Sequence, residues 1–113
     1  MILTISSQSD SLQGMPFLRF GRAPYFIQYN LEDDTWEALQ NAAVYERGGA
    51  GIAASQFLID HNSNAALSGD FGPNAARVLS QAGIKMYTFD GSYPSVQSII
   101  VGFKENQLTE VKF

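Results

Sequence analysis

Residues Ala65–Phe89 read AALSGDFGPNAARVLSQAGIKMYTF, and this stretch decides the fold. Ala65–Ser68 is a short apolar run, as expected of a buried strand. Gly69-Asp70-Phe71-Gly72 is a loop. Pro73 suits the first position of a helix and Gly83 the residue just past its end, so the pattern predicts a helix over Pro73–Ala82. Ala76, Val78 and Leu79 supply its buried side. Ile84–Phe89 then reads as a second strand. A strand, a helix and a strand in succession form a crossover between parallel strands, and right-handed crossovers put helices against the sheet.

The flanks extend this unit. Upstream, the sequence changes to helical period at Ala50, where Ala50, Ala53, Ala54, Phe57, Leu58 and His61 share one stripe that Ile52 and Ile59 widen. Asn62-Ser63-Asn64 stops that helix. Tyr25–Leu31 is aromatic and β-branched, and Thr35–Asn41 roughly alternates, with Trp36, Ala38 and Gln40 on one face. With Glu32-Asp33-Asp34 as the turn, they read as a hairpin. At that spacing Tyr25, Phe26, Tyr29 and Trp36 read as core and sheet surface. Met1–Ser6 is a further strand, Gln8–Gly14 a polar loop, and Phe17–Phe20 a short extended stretch before the turn Gly21–Pro24. Downstream, a last helix starts near Pro94 with Val96, Ile99, Ile100 and Phe103 at helical spacing. The tail Asn106–Phe113 reads as extended or loosely held.

The expected order is strand, strand, strand, helix, strand, helix, strand, helix. It gives a three-layer α/β/α arrangement around a five-stranded mixed sheet. The 113 residues suit one domain, residues 1–113, with an ordered core of about 1–103 and a tail 104–113. The chain has no cysteine, which excludes thiolate ligation and a disulfide framework from within it. A net charge of −4 argues against nucleic-acid binding by clustered cations. No apolar run approaches membrane-span length, and the start lacks a signal-peptide pattern, so the expected location is the cytoplasm.

The topology also places the loops. With the first strand pointing up, the connections Ser7–Pro24, Ala42–Ala50, Gly69–Pro73 and Asp90–Pro94 gather on the top edge. Three helices start there, with free N–H groups and positive dipole ends. Ligands in open α/β sheets favour this edge near the switch in strand order. Gly48, Gly49 and Gly51, and then Gly69 and Gly72, allow backbone N–H groups to approach an anion closely. Neither loop is a P-loop or a dinucleotide fingerprint. Arg22 is the cation of the first loop placed to add charge pairing.

Three segments together carry a family resemblance: Phe20-Gly21-Arg22-Ala23-Pro24-Tyr25-Phe26, Gly48-Gly49-Ala50-Gly51-Ile52, and Gly69-Asp70-Phe71-Gly72-Pro73-Asn74-Ala75. In order and spacing they resemble the dinitrogenase iron–molybdenum cofactor biosynthesis family, which includes NifX- and NafY-type proteins and the C-terminal part of NifB. The resemblance runs from Met1 to about Phe103. It implies a ribonuclease H-like motif and a protein that binds or carries iron–molybdenum cofactor or its iron–sulfur precursor. The implied binding residues are Phe20, Gly21, Arg22, Gly48, Gly49, Gly51, Gly69, Asp70, Phe71, Gly72 and Asn74. Cofactor-binding members often place His or Cys before the first helix, where this chain has Glu46-Arg47-Gly48-Gly49.

Three functions compete. The first is a non-catalytic binding or carrier domain for an anionic metallocluster. The second is an accessory or regulatory domain for another small anion or a partner protein, without metal. The third is an enzyme, and it is disfavoured. The first strand has no carboxylate for two-metal chemistry. Asp10, Asp70 and Asp90 fall in top-edge loops, and Asp70 reads as a local cap or turn residue. His61, the sole histidine, falls on the opposite edge and reads as structural. Met15, a thioether in the first loop, reads as packing. The exposed hairpin edge leaves dimerisation open.

Overall fold

Apolar residues at alternate positions drive Ile2–Ser7 into a strand, β1, whose last five residues are buried. It lies at the centre of the sheet. On one side it pairs antiparallel with β2 (Tyr25–Asn30), Leu3 facing Tyr29. On the other it pairs parallel with β4 (Ala65–Ser68), Leu3 facing Ala65. The switch from antiparallel to parallel pairing therefore happens at β1 itself. These are features of a computed structural model that describes residues 1–112.

The hairpin partner β3 (Trp36–Gln40) forms one edge, and β5 (Lys85–Thr88) lies parallel to β4 on the other side. The helices are α1 (Ala50–Asp60), α2 (Pro73–Gln81) and α3 (Val96–Lys104). One core cluster joins Phe26, Ala66 and Met86 of the sheet to Ala54 and Leu58 of α1 and Ala76 and Leu79 of α2. A second joins Leu3, Ile5, Ile27 and Leu67 to Val96, Ile99 and Ile100 of α3. The sheet is therefore sandwiched, with α1 and α2 on one face and α3 on the other. Burying each such Leu, Ile or Phe contributes about 1.5–3 kcal/mol.

Two expectations change. Among the described residues the sheet has six strands, in the order β3-β2-β1-β4-β5-β6, not five. The added strand β6 is Thr109–Glu110, antiparallel to Tyr87 and Thr88. Two residues, one of them charged, carry no periodicity to reveal them. The segment expected to be a loose tail thus contributes an edge strand, and Val111 N–H continues it by donating to Met86 O at 2.8 Å; Phe113 lies outside the described residues. Second, α3 starts at Val96 with Ser95 as its cap, slightly later than Pro94 suggested. Of the aromatic hairpin residues, Phe26 and Tyr29 are core, whereas Trp36 is 43% exposed on the sheet surface.

Candidate functional site

β1, β4 and β5 run in one direction, so their C-terminal ends share an edge and the loops that follow them meet there. The first and third loops are stitched together. Arg19 and Asp70 form a parallel bridge, and Phe20 N–H donates to Asp70 O at 3.0 Å. The Phe20 ring, 2% exposed, is wedged between Phe26 and Phe71 at centroid distances of 5.4 and 5.2 Å. Phe20–Arg22 is a short 3-10 turn. Gly21 lies so close to α1 that a Cβ there would come within 2.9 Å of Gly51 N. Buried Asn41 pins the turn from behind. Its Nδ2 donates to Ala23 O at 2.9 Å and Gly21 O at 3.3 Å, and its Oδ1 accepts from Ala43 N–H at 3.0 Å. Sequence reasoning missed Asn41, because its partners are backbone carbonyls about 20 residues away.

These contacts leave a shallow groove of about 230 Å³ between the starts of α1 and α2. Seven of the expected residues line it: Phe20, Gly21, Arg22, Gly51, Asp70, Phe71 and Gly72. The phenylalanine rings serve mainly as floor. Arg19 and Ala50 line it too, and neither is among the binding residues expected from the sequence. The signal for Arg19 was available, a second cation three residues before Arg22.

Four expected residues stand apart from the lining. Gly48 and Gly49 are exposed, with Gly49 serving as the α1 cap at φ 72°. Gly69 is a packing position, since a Cβ there would meet Leu18 O at 2.6 Å. Asn74 faces along α2, where its Oδ1 accepts from Arg77 Nη2 at 3.2 Å.

The electrostatics of the groove favour an anion. Gly49 and Gly72 cap α1 and α2, and neither offers a side chain to accept a first-turn N–H. Each uncapped helix end carries roughly half a positive charge. Gly72, at φ 74° and ψ 161°, occupies a region essentially reserved for glycine. Arg19 and Arg22 add two guanidinium groups against one carboxylate, Asp70, whose Oδ1 turns back to accept from Gly72 N–H at 3.3 Å. Arg22 is not a free arm. Its Nη1 donates to Glu46 O at 2.7 Å and Val44 O at 3.2 Å, which ties it to the 3-10 turn Ala42–Tyr45.

The third helix start behaves differently, and the expectation of three open helix ends is corrected. Val96 N–H donates to Gly14 O at 3.0 Å and Gln97 N–H to Leu12 O at 2.9 Å. Ser95 and Ser98 add a capping box. The first-turn donors of α3 are therefore already engaged.

The remaining candidates fall elsewhere. Asp90 closes its own turn: hydrogen bonds from the Ser92 hydroxyl and N–H hold its carboxyl below the usual carboxylate range. Among the described residues no three His, Asp or Glu side chains converge as metal ligands, so Asp10, Asp70 and Asp90 do not form a site. His61 caps the far end of α1, its Nδ1 2.8 Å from Phe57 O and its ring against Phe57. Met15, expected to pack, is 65% exposed. No helix among the described residues is long and apolar enough to cross a membrane.

Comparison with known proteins places this geometry in context. The sequence model of the family described as dinitrogenase iron–molybdenum cofactor matches residues 1–106. The apo form of the orange protein from Desulfovibrio gigas superposes with a TM-score of 0.92 at 29% identity, over 97% of this chain and 92% of that one. A Thermotoga protein assigned to NifB and to the DUF35 family gives a TM-score of 0.85 at 33% identity, over 99% and 95%. PH0822 shares the fold at 22% identity, with a TM-score of 0.78 over 98% and 96%. No curated protein matches the sequence.

Proposed function

We propose that this chain, which belongs to the dinitrogenase iron–molybdenum cofactor family, is a non-catalytic domain that binds and carries an anionic metallocluster in the groove between α1 and α2. The single observation that carries the reading is the pairing of two uncapped helix starts with Arg19 and Arg22 around one cleft. The donor set also defines the cargo. The chain has no cysteine, and the groove offers N–H and guanidinium donors in place of side-chain ligands. Such a surface suits an iron–molybdenum or iron–sulfur cluster that brings its own sulfide shell and net negative charge. It does not suit a bare cation. Gly21, Gly51 and Gly72 keep the walls thin, Asp70 orders its own loop, and Phe20 and Phe71 form a rigid floor.

The arrangement supports a non-catalytic reading. The mixed sheet with two parallel crossovers supports the reading of the fold as a ribonuclease H-like motif. Where a two-metal nuclease needs carboxylates on its central strand, β1 carries Thr4 and Ser6. His61 is engaged at the other edge.

The test is anaerobic reconstitution with iron, molybdate and sulfide, followed by desalting and metal analysis. The wild-type chain retains metal, and the double variant Arg19→Ala, Arg22→Ala loses most of it. A wild-type chain that retains no more metal than a buffer control overturns the carrier reading. The second reading, a domain for another small anion or for a partner protein, draws on the same helix starts. Thermal shifts with phosphate, tungstate and nucleotides separate it: a ligand at 100 times its Kd adds about 2.7 kcal/mol of stability. A flat response to every anion leaves the partner protein alone.

A further inference from the structure

A different surface lies on the hairpin, away from the groove. Two backbone bonds fix its hydrogen-bond phase: Asn30 N–H donates to Thr35 O at 2.8 Å, and Asn41 N–H to Pro24 O at 3.0 Å. In an antiparallel pair, bonded and non-bonded positions alternate. Residues 35, 37, 39 and 41 therefore bond inward to β2. Trp36, Ala38 and Gln40 turn their N–H and C=O groups outward. Because β3 ends the sheet, that edge has no neighbouring strand among the described residues. No charged side chain or proline stands among these three residues to guard it.

At the Gln40 end the edge runs into a mostly apolar groove of about 580 Å³. Its walls are Pro24, Tyr25, Val44 and Tyr45, the last 89% exposed. Asn41, held by its three hydrogen bonds, makes the floor rigid. At the other end the charge is negative. Glu37 is exposed on β3, and in the adjoining turn Glu32 faces the Met1 ammonium at 3.6 Å and Asp34 faces Lys104 at 3.1 Å, so Glu37 and Asp33 carry the excess negative charge.

We propose that β3 is a docking strand for an extended basic segment of a partner protein, which adds a seventh strand at this edge. The register sets the pattern of that segment. Tyr25 and Gln40 share one face, so the residue opposite Gln40 enters the apolar groove. Glu37 points to the other face, three positions away, so the residue opposite it is Lys or Arg. The recognised pattern is a large apolar residue and a basic residue three positions apart, in strand conformation. A second copy of this chain fits poorly. Antiparallel pairing of two β3 strands about Ala38 brings both Glu37 side chains to one face as diagonal neighbours, where like charges repel.

The sole tryptophan of the chain, Trp36, sits on this strand and reports binding by its emission. The probe is the blocked peptide Thr-Leu-Thr-Val-Lys-Thr, titrated up to millimolar concentration. The wild-type chain shifts its emission and saturates. Ala38→Pro removes one outward N–H, leaves the bonds to β2 in place, and abolishes the shift while Tm and circular dichroism confirm the fold. Glu37→Lys weakens binding about threefold, and a peptide with Glu in place of Lys recovers on that variant. The proposal fails if the wild-type emission does not move, or if Ala38→Pro binds equally well. It also fails if sedimentation shows a wild-type dimer that Ala38→Pro dissociates, since a second copy then holds the edge.

Discussion

The starts of α2 and α3 lie on one edge of one sheet, follow parallel strands and point their dipoles the same way, yet only one is open. At α2 the cap is Gly72, the first residue is Pro73, and no side chain answers the turn. At α3 a serine capping box and two carbonyls from residues 12 and 14 take up the donors. The long first loop explains the difference. Its N-terminal half folds over α3 and seals it. Its C-terminal half, through Arg19 and Phe20, clips onto Asp70 and shapes a groove beside α1 and α2. Topology brings helix ends to an edge; the connecting loops decide which remain available to a ligand.

The comparison breaks most severely at the floor of the open half. Phe20→Ala removes a ring packed against Phe26 and Phe71. The expected cost is about 3–5 kcal/mol, which is roughly 12–20 °C of Tm at this chain length. A fall of only a few degrees means that the floor repacks and that the groove is softer than its geometry implies.

A smaller pair of changes probes the closed start of α3 and the open start of α1, the neighbour of α2 in the groove. Ser95→Ala strips the capping box from α3 and costs about 1 kcal/mol, read as a small loss of Tm. It creates no new anion site, because Val96 and Gln97 still donate to the loop carbonyls. Gly49→Asp acts on the open start. At a left-handed φ of 72° its side chain is strained rather than set to cap α1, but it places a negative charge beside the groove and lowers molybdate affinity about fivefold. If calorimetry finds tighter molybdate binding to the Ser95→Ala variant, the closed half is not closed by its loop.

How much of this was legible follows from the range of each interaction. The crossover from β4 through α2 to β5 is written locally, in an apolar run, Pro73 and Gly83. So is the gathering of loops on one edge, which needs only strand directions. The closure of α3 was not legible: Leu12 and Gly14 act through carbonyls that every residue owns, on donors more than 80 residues away. The tether of Arg22 to Val44 and Glu46 is hidden for the same reason. A cation in a glycine-rich loop reads as a ligand residue, and only the fold reveals that it also secures a neighbouring turn. Gly69 shows the converse. Its sequence context suggests a ligand loop, whereas its missing side chain makes room for Leu18.

The smallest expected effect lies at the other end of α3 and asks whether that helix is fastened at both ends. Lys104 Nζ approaches Asp34 Oδ1 at 3.1 Å, and the Tyr29 hydroxyl donates to the same oxygen at 2.5 Å. The Tyr29 hydroxyl, and then Lys104, hold the Asp34 carboxyl below the usual carboxylate range. The same contacts, with Asp34 first, raise the Lys104 ammonium above its ordinary value. A depressed carboxyl contributes stability that is present above its unfolded pKa, about 3.9, and is lost as pH falls through the lower folded value. A raised ammonium contributes below its unfolded value, about 10.4, and loses that contribution as pH rises through the folded one. Both groups are solvent-facing, so the effect is modest and screened by salt. Hydrogen exchange at falling pH therefore shows Phe103 and Lys104 loosening below about pH 4 in the wild-type chain. Asp34→Asn is looser there at neutral pH and changes little on acidification, while Val96 and Gln97 stay protected in both. Equal acid loosening in the Asn variant would show that Asp34 does not fasten the helix end.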